Sequence, residues 1–302
     1  MGMPIGFWWI LRIDASPQSK MFTLSPDQLS AMSRFFACSV IREMASKGRS
    51  PLLARLAKQS GLVDTLSQSQ RVYNLFDKAF SLLKRDGSRH EYVYKAALTQ
   101  NILLGRHSLQ TASMLNEFRV GNCKADLAIL NGMATVYEIK SDRDSLARLE
   151  RQISAYANVF AKVYVIAAED HIPGVVSCVP EHVGVLLLNS RQQISTLREA
   201  VGRPEHTSPE AIFDCVRTIE AGLILRSCSV SVPAVPNTQL SFVLRELFTR
   251  LTPHEAHEGM VRVLKVTRNL VPLSDLVERL PRSLQPVALT VTIRKRDHER
   301  LA

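Results

Sequence analysis

The sequence predicts an α/β protein: a central mixed β-sheet flanked by helices, with helical regions at both ends. Three observations predict it. Between residues 111 and 140 three short β-type segments follow one another, separated by the turn pairs Gly121-Asn122 and Asn131-Gly132. Two continuous apolar runs, 163–168 and 183–188, come after a helical pattern, as buried and possibly parallel strands do. On either side of this stretch the apolar residues recur at helical spacing.

Taken in order, residues 1–21 contain Phe7-Trp8-Trp9-Ile10-Leu11, too short a run to span a bilayer. It lacks the basic flank and cleavage site of a signal peptide, so it reads as a disordered lead-in, with Met21 as an alternative start to Met1. Ser25-Pro26-Asp27 starts a helix, with Ser as cap, Pro at the first position and an acid in the first turn. That helix extends to about Lys47, with Gly48 just past its end. Ser50-Pro51 repeats the signal for a shorter helix ending near Gly61. A third, from about Gln68 to Arg85, sets Val72, Leu75, Phe76, Ala79, Leu82 and Leu83 on one face and stops at Gly87. Residues 22–87 therefore form a helical N-terminal region, either a cap packed on the next domain or a helix-turn-helix.

The central domain, 88–202, opens with a helix from Glu91 to Leu104. The strand segments 111–119, 124–130 and 134–140 follow, then a helix over 144–160 and the two apolar strands. The C-terminal region, 203–302, is helical at 209–226, 239–250, 253–268 and 273–280, with 227–237 as a linker. It ends on Arg294-Lys295-Arg296 and Arg300, a solvated tail or a contact for nucleic-acid backbone.

Composition narrows the function. The formal net charge is +10 and the pI about 9.6, which favours a polyanionic partner without saying anything of the fold. Five scattered cysteines, with no Cys-x-x-Cys pair, argue against a disulfide framework or a zinc cluster and fit a cytoplasmic protein. No apolar run approaches the length of a membrane span, and no Gly-rich phosphate loop is present.

The chemistry concentrates around Asp126, Glu138 and Lys140. Glu138 and Lys140 are two apart on a predicted strand, so they share a face, while Tyr137 and Ile139 take the other. A carboxylate and an ammonium on a largely apolar strand are costly unless paired or ligated. A two-residue turn at Gly121-Asn122 pairs Val120 with Cys123 and sets Glu117 opposite Asp126. Like charges in that position destabilise a sheet unless a cation lies between them, and oxygen ligands suit Mg²⁺ or Mn²⁺. The second turn leaves two registers open. A two-residue Asn131-Gly132 turn pairs Asp126 with Tyr137, whereas a three-residue Asn131-Gly132-Met133 turn pairs it with Glu138. Only the second, or a bulge, puts both acids on one face.

An Asp followed by Glu-x-Lys on the next strand, flanked by helices in this order, resembles the PD-(D/E)XK nuclease superfamily. Gln152-x-x-x-Tyr156 resembles the helix motif of its RecB-like members, and Leu146-x-Arg148-Leu149 with the Asp126 to Asp142 text is similar to an uncharacterised bacterial family within it. The resemblance covers about residues 112–172, and Ala125 stands where the Pro of the superfamily's name would precede Asp126. It implies a restriction-endonuclease-like core and a metal-dependent nuclease that hydrolyses phosphodiester bonds, in DNA before RNA. In that reading Asp126, Glu138 and the Ile139 carbonyl hold Mg²⁺, or Mn²⁺, with Glu117 as a further metal ligand. Lys140 orients the attacking water or stabilises charge on the phosphate. Gln152 and Tyr156, one helical turn apart, line the groove or steady Lys140. Glu91 is a weaker candidate, since a first-turn helix acid needs no catalytic reason. The resemblance also implies a homodimer or a protein partner. The ordinary alternatives are a surface ion pair for Glu138 and Lys140, core packing for Tyr156 and a solvated helix face for His254-Glu255-Ala256-His257. A non-catalytic nucleic-acid-binding or regulatory protein that retains the fold is the alternative function.

Overall fold

The computed structural model describes residues 24–63, 72–85 and 89–301. The expected lead-in 1–21, the helix start at Gln68 and the stop at Gly87 lie outside these residues. A single six-stranded sheet carries the fold, with β1 (Ser113–Val120), β2 (Cys123–Asn131), β3 (Met133–Lys140), β4 (Lys162–Ala167), β5 (Gly184–Leu188) and β6 (Ile194–Arg198) side by side in chain order. The sheet is mixed: β3, β4 and β5 run parallel, and β1, β2 and β6 join antiparallel.

Each face carries its own helical layer. Leu127, Ile129, Tyr137, Ile139, Tyr164 and Ile166 point into a core shared with α1 (Pro26–Ser33), α2 (Cys38–Lys47), α3 (Pro51–Ser60), α4 (Val72–Leu83) and α5 (Glu91–Leu98). The N-terminal helices thus form a cap on the sheet. On the other face Ala128, Leu130, Val136, Val163 and Val165 meet α6 (Leu149–Ala157), α7 (Ile172–Cys178), α8 (Pro209–Cys215), α9 (Thr218–Ser227), α10 (Asn237–Phe248) and α11 (Pro253–Thr267). The chain then returns to the first face with α12 (Ser274–Arg279) and α13 (Gln285–Ala288).

Several elements depart from the sequence reading for local reasons. The helix expected from Ser25 to Lys47 begins with the reciprocal Ser25–Gln28 capping box but breaks at Ala37, which is extended. Phe35 and Phe36 are both buried, and both meet the Phe76 ring edge-on while Phe36 stacks on Tyr92. A straight helix would aim consecutive side chains about 100° apart, so the break lets both rings enter one core. The helix expected over 144–160 starts only at Leu149, because Asp144 Oδ2 accepts bonds from the Ser141 amide and hydroxyl at 2.8 and 2.5 Å. The helix expected over 209–226 is divided at the extended Val216. The edge strand β6 and the short α7 were not foreseen, since neither carries a sustained apolar period.

The basic end is not a free tail. Asp297 and His298 are buried, and Arg300 Nη1 donates to Ser46 O at 2.7 Å at the carbonyl end of α2. His257 is also not part of a solvated face. It is 1% exposed, and its Nε2 accepts the Ala134 amide at 3.3 Å. Burial pushes its pKa down to about 4, from an ordinary 6.5. The folded chain keeps His257 neutral where the unfolded chain protonates it, so this contribution is present above pH 6.5 and lost as the pH falls towards 4. Urea unfolding at pH 7 and pH 4.5 is expected to show a loss of roughly 2–3 kcal/mol that His257→Gln lacks. Equal losses in both proteins would remove His257 as the cause. Among the described residues no helix is long and apolar enough to cross a membrane.

Candidate active site

The site begins at the β2–β3 turn. Gly132 takes the left-handed conformation at φ +71°, and the ladder closes around it with Asn131 paired to Met133. Leu130 pairs with Ala134 and Leu127 with Tyr137, so the next step of the same register sets Asp126 opposite Glu138. The chain therefore adopts the longer of the two possible turns, which brings both acids to the α6 face. Tyr137 and Ile139 point to the other face, as their alternation requires. Asp126 Oδ2 accepts the Ile139 amide at 2.7 Å, which fixes the carboxylate against β3.

Glu138 and Lys140 do not form a surface pair. They are 2% and 5% exposed, and Lys140 Nζ donates to Glu138 Oε1 at 2.8 Å and to Gln152 Oε1 at 3.0 Å. The other Glu138 oxygen lies 2.9 Å from the Tyr156 hydroxyl, which also sits 2.9 Å from Lys124 O. Tyr156 is fully buried and supports the carboxylate from beneath while packing in the core. A buried ion pair survives only when most of its remaining bonding capacity is met, and Gln152 and Tyr156 do so here, with one Lys140 N–H left over.

Asp126 is different. Burial, followed by the charges of Glu138 and Glu91, pushes its carboxyl up to about 8. Lys140 neutralises Glu138, so Asp126 is left without a counter-charge in contact, and its Oδ1 has no hydrogen-bond partner among the described residues. Asp126, Glu138, Ile139, Lys140, Gln152 and Glu91 line one cleft of about 290 Å³. Glu91, at the first position of α5, also pairs with Lys95 at 2.5 Å.

Glu117 does not join them. The β1–β2 register does place it across from Asp126, but its φ of +51° interrupts the ladder and turns the side chain aside. Its carboxylate meets Lys124 Nζ at 2.9 Å and Lys95 Nζ at 3.9 Å, and the Lys124 bond holds its pKa below the ordinary carboxylate range. The like-charge opposition seen in the sequence is thus relieved by lysines.

Two features escaped the sequence reading. Asp142 accepts from the Tyr94 hydroxyl at 2.8 Å and pairs with Arg89 Nη2 at 3.3 Å. Arg89 Nη1 in turn donates to Leu188 O, so this buried cluster ties the end of β3 to β5 and to the start of α5, where Glu91 stands. Arg148 and Arg151 also line the cleft, from the α6 side.

The donor set suits a hard divalent cation. Two carboxylates meet across one register, one of them uncompensated and with an oxygen to spare, and their neighbours offer peptide oxygen. Among the described residues no three His, Cys, Asp or Glu side chains converge as a complete site, so peptide or water oxygens would have to supply the remaining ligands.

The family described as bacteriophage P4 protein cII matches residues 84–240, just over half of the chain, including the whole sheet and the cleft. Over 84 residues, 27% of the chain, the sequence is 40% identical to Protein cII of Enterobacteria phage P4. That alignment spans 32% of the relative's own length. No solved structure matches the chain. The chain belongs to the bacteriophage P4 protein cII family.

Proposed function

We propose that the cleft is the active site of a divalent-cation-dependent nuclease that hydrolyses phosphodiester bonds, DNA before RNA. One observation carries the reading: Asp126 stands opposite Glu138, with Lys140 two residues on, and all three face one cleft. The formal charge of +10 suits a polyanionic substrate, and the resemblance to PD-(D/E)XK nuclease motifs at these residues points the same way. Asp126, Glu138 and the Ile139 carbonyl would hold Mg²⁺ or Mn²⁺. Bound there, the cation would supply acidity to a water and counter-charge to a phosphate.

The chain's own groups do the rest. Gln152 and Glu138 fix the Lys140 ammonium at 3.0 and 2.8 Å, so its third N–H would be available to a substrate or water oxygen without a search through rotamers. Tyr156 holds the second Glu138 oxygen and keeps that carboxylate from turning. Burial and the charges of Glu138 and Glu91 favour a proton on Asp126, and a cation would have to displace that proton to bind. A cytoplasmic location belongs to the same proposal, since all five cysteines are unpaired.

A second reading, a nucleic-acid-binding or regulatory protein without catalysis, draws on the mutual neutralisation of Glu138 and Lys140. Supercoiled plasmid and single-stranded DNA, each incubated with the purified chain in Mg²⁺, Mn²⁺ or EDTA, separate the two. The nuclease is expected to nick or degrade DNA in either cation and leave it intact in EDTA. Intact DNA in every condition would refute the hydrolase.

A further inference from the structure

Besides the acids and Lys140, the cleft contains two guanidinium groups that the chemistry above does not use. Arg148 precedes α6 and Arg151 stands in its first turn, three residues on, so their side chains leave the helix as neighbours on one face. Both are exposed, and neither guanidinium has a hydrogen bond or ion pair among the described residues, although the Arg148 carbonyl accepts the Gln152 amide. Acids close in sequence do not neutralise them. Asp144, which also lines the cleft, is engaged by the Ser141 amide and hydroxyl.

Electrostatics gives this pair a task. With a cation in place of the Asp126 proton, the ion and Lys140 together offset Asp126, Glu138 and the reacting phosphate, and no positive charge is left over. A neighbouring phosphate on the same strand meets no counter-charge from those groups. Planar guanidinium forks present paired donors that match the non-bridging oxygens of a phosphate. We infer that Arg148 and Arg151 form a clamp for a phosphate next to the reacting one, so the cleft takes a chain of at least two consecutive phosphodiesters. The inference rests on the reading of the cleft as a nucleic-acid site. The clamp positions substrate and does not touch the reacting atoms.

Fluorescence anisotropy with a labelled single-stranded 20-mer in EDTA, over a range of salt, tests the clamp without cleavage. Arg148→Gln/Arg151→Gln is expected to weaken binding about tenfold and to lower the slope of log affinity against log salt by about one, as loss of one phosphate contact does. Arg148→Lys/Arg151→Lys is expected to restore most of that slope, because a point charge still releases counterions. Arg191→Gln/Lys295→Gln removes the same charge elsewhere and is expected to stay within about twofold of wild type. If the double glutamine variant fails to fold, each single variant is read instead, with about half the slope change. Wild-type affinity and slope in the clamp variant would overturn the clamp, as would an equal loss in the control pair or no wild-type binding. Cleavage by wild type in Mg²⁺ is scored separately. Cleavage with an unchanged slope would overturn the clamp and leave the nuclease standing. A clamp-dependent slope without cleavage would support the clamp and refute the nuclease.

Discussion

Asp126→Asn is expected to abolish cation-dependent cleavage, by roughly a thousandfold or more, and to make the metal-free protein harder to unfold at alkaline pH. Both effects come from one carboxylate. Asparagine keeps the volume and an oxygen for the Ile139 amide but loses the charge that would hold a cation. Burial and the charges of Glu138 and Glu91 raise the Asp126 carboxyl to about 8, from 3.8. The folded chain therefore holds a proton that the unfolded chain releases near pH 4. The associated stability is complete below pH 4 and is lost as the pH rises through about 8. Asparagine cannot ionise, so the variant escapes that loss. Gel assays of cleavage and urea unfolding in EDTA at pH 5 and pH 9 check both arms. A variant that still cuts, or one that loses as much stability as wild type between those pH values, contradicts the role given to Asp126.

Glu138→Ala is expected to destabilise the protein by about 3–5 kcal/mol, beyond its effect on activity. Glu138 is 2% exposed, and its removal leaves the Lys140 ammonium buried with Gln152 as its one remaining hydrogen-bond partner among the described residues. The Tyr156 hydroxyl keeps Lys124 O as an acceptor and adds little to the cost. Glu138→Gln keeps the shape and one oxygen for Lys140, so its cost is smaller, although the charge is gone. Urea midpoints at pH 7 rank the three proteins as wild type, Gln and then Ala. An alanine variant within about 1 kcal/mol of wild type would mean that the pair is not the buried, mutually dependent unit described above. Activity lost by a variant that unfolds this easily says little about chemistry, so Asp126 is the better probe of mechanism.

Five of the six strands and the shared face of Glu138 and Lys140 were legible in the sequence because both rest on short-range rules. Period-two alternation placed Tyr137 and Ile139 opposite Glu138 and Lys140, and the i,i+4 spacing placed Gln152 and Tyr156 on one face. The register between Asp126 and Glu138 was only half legible. Asn131-Gly132 suits a two-residue turn, and Gly132 alone at positive φ, closed by the Asn131–Met133 pair, selects the longer one. Glu117 was misplaced by the same kind of detail, because one residue at φ +51° overrides a correct register count. The Arg89–Asp142 tie joins residues 53 apart, which no local pattern reveals. His257 sits in a motif that looks solvated, and only packing of α11 on β3 buries it.

Mn²⁺ titration of the metal-free protein at pH 8, followed by electron paramagnetic resonance of the free ion, addresses the cation site most directly, with Asp126→Asn titrated alongside. The assignment of Asp126 and Glu138 predicts saturable binding to wild type and none to the variant over the same concentrations. Equal binding by the two proteins, or none by wild type, would contradict it.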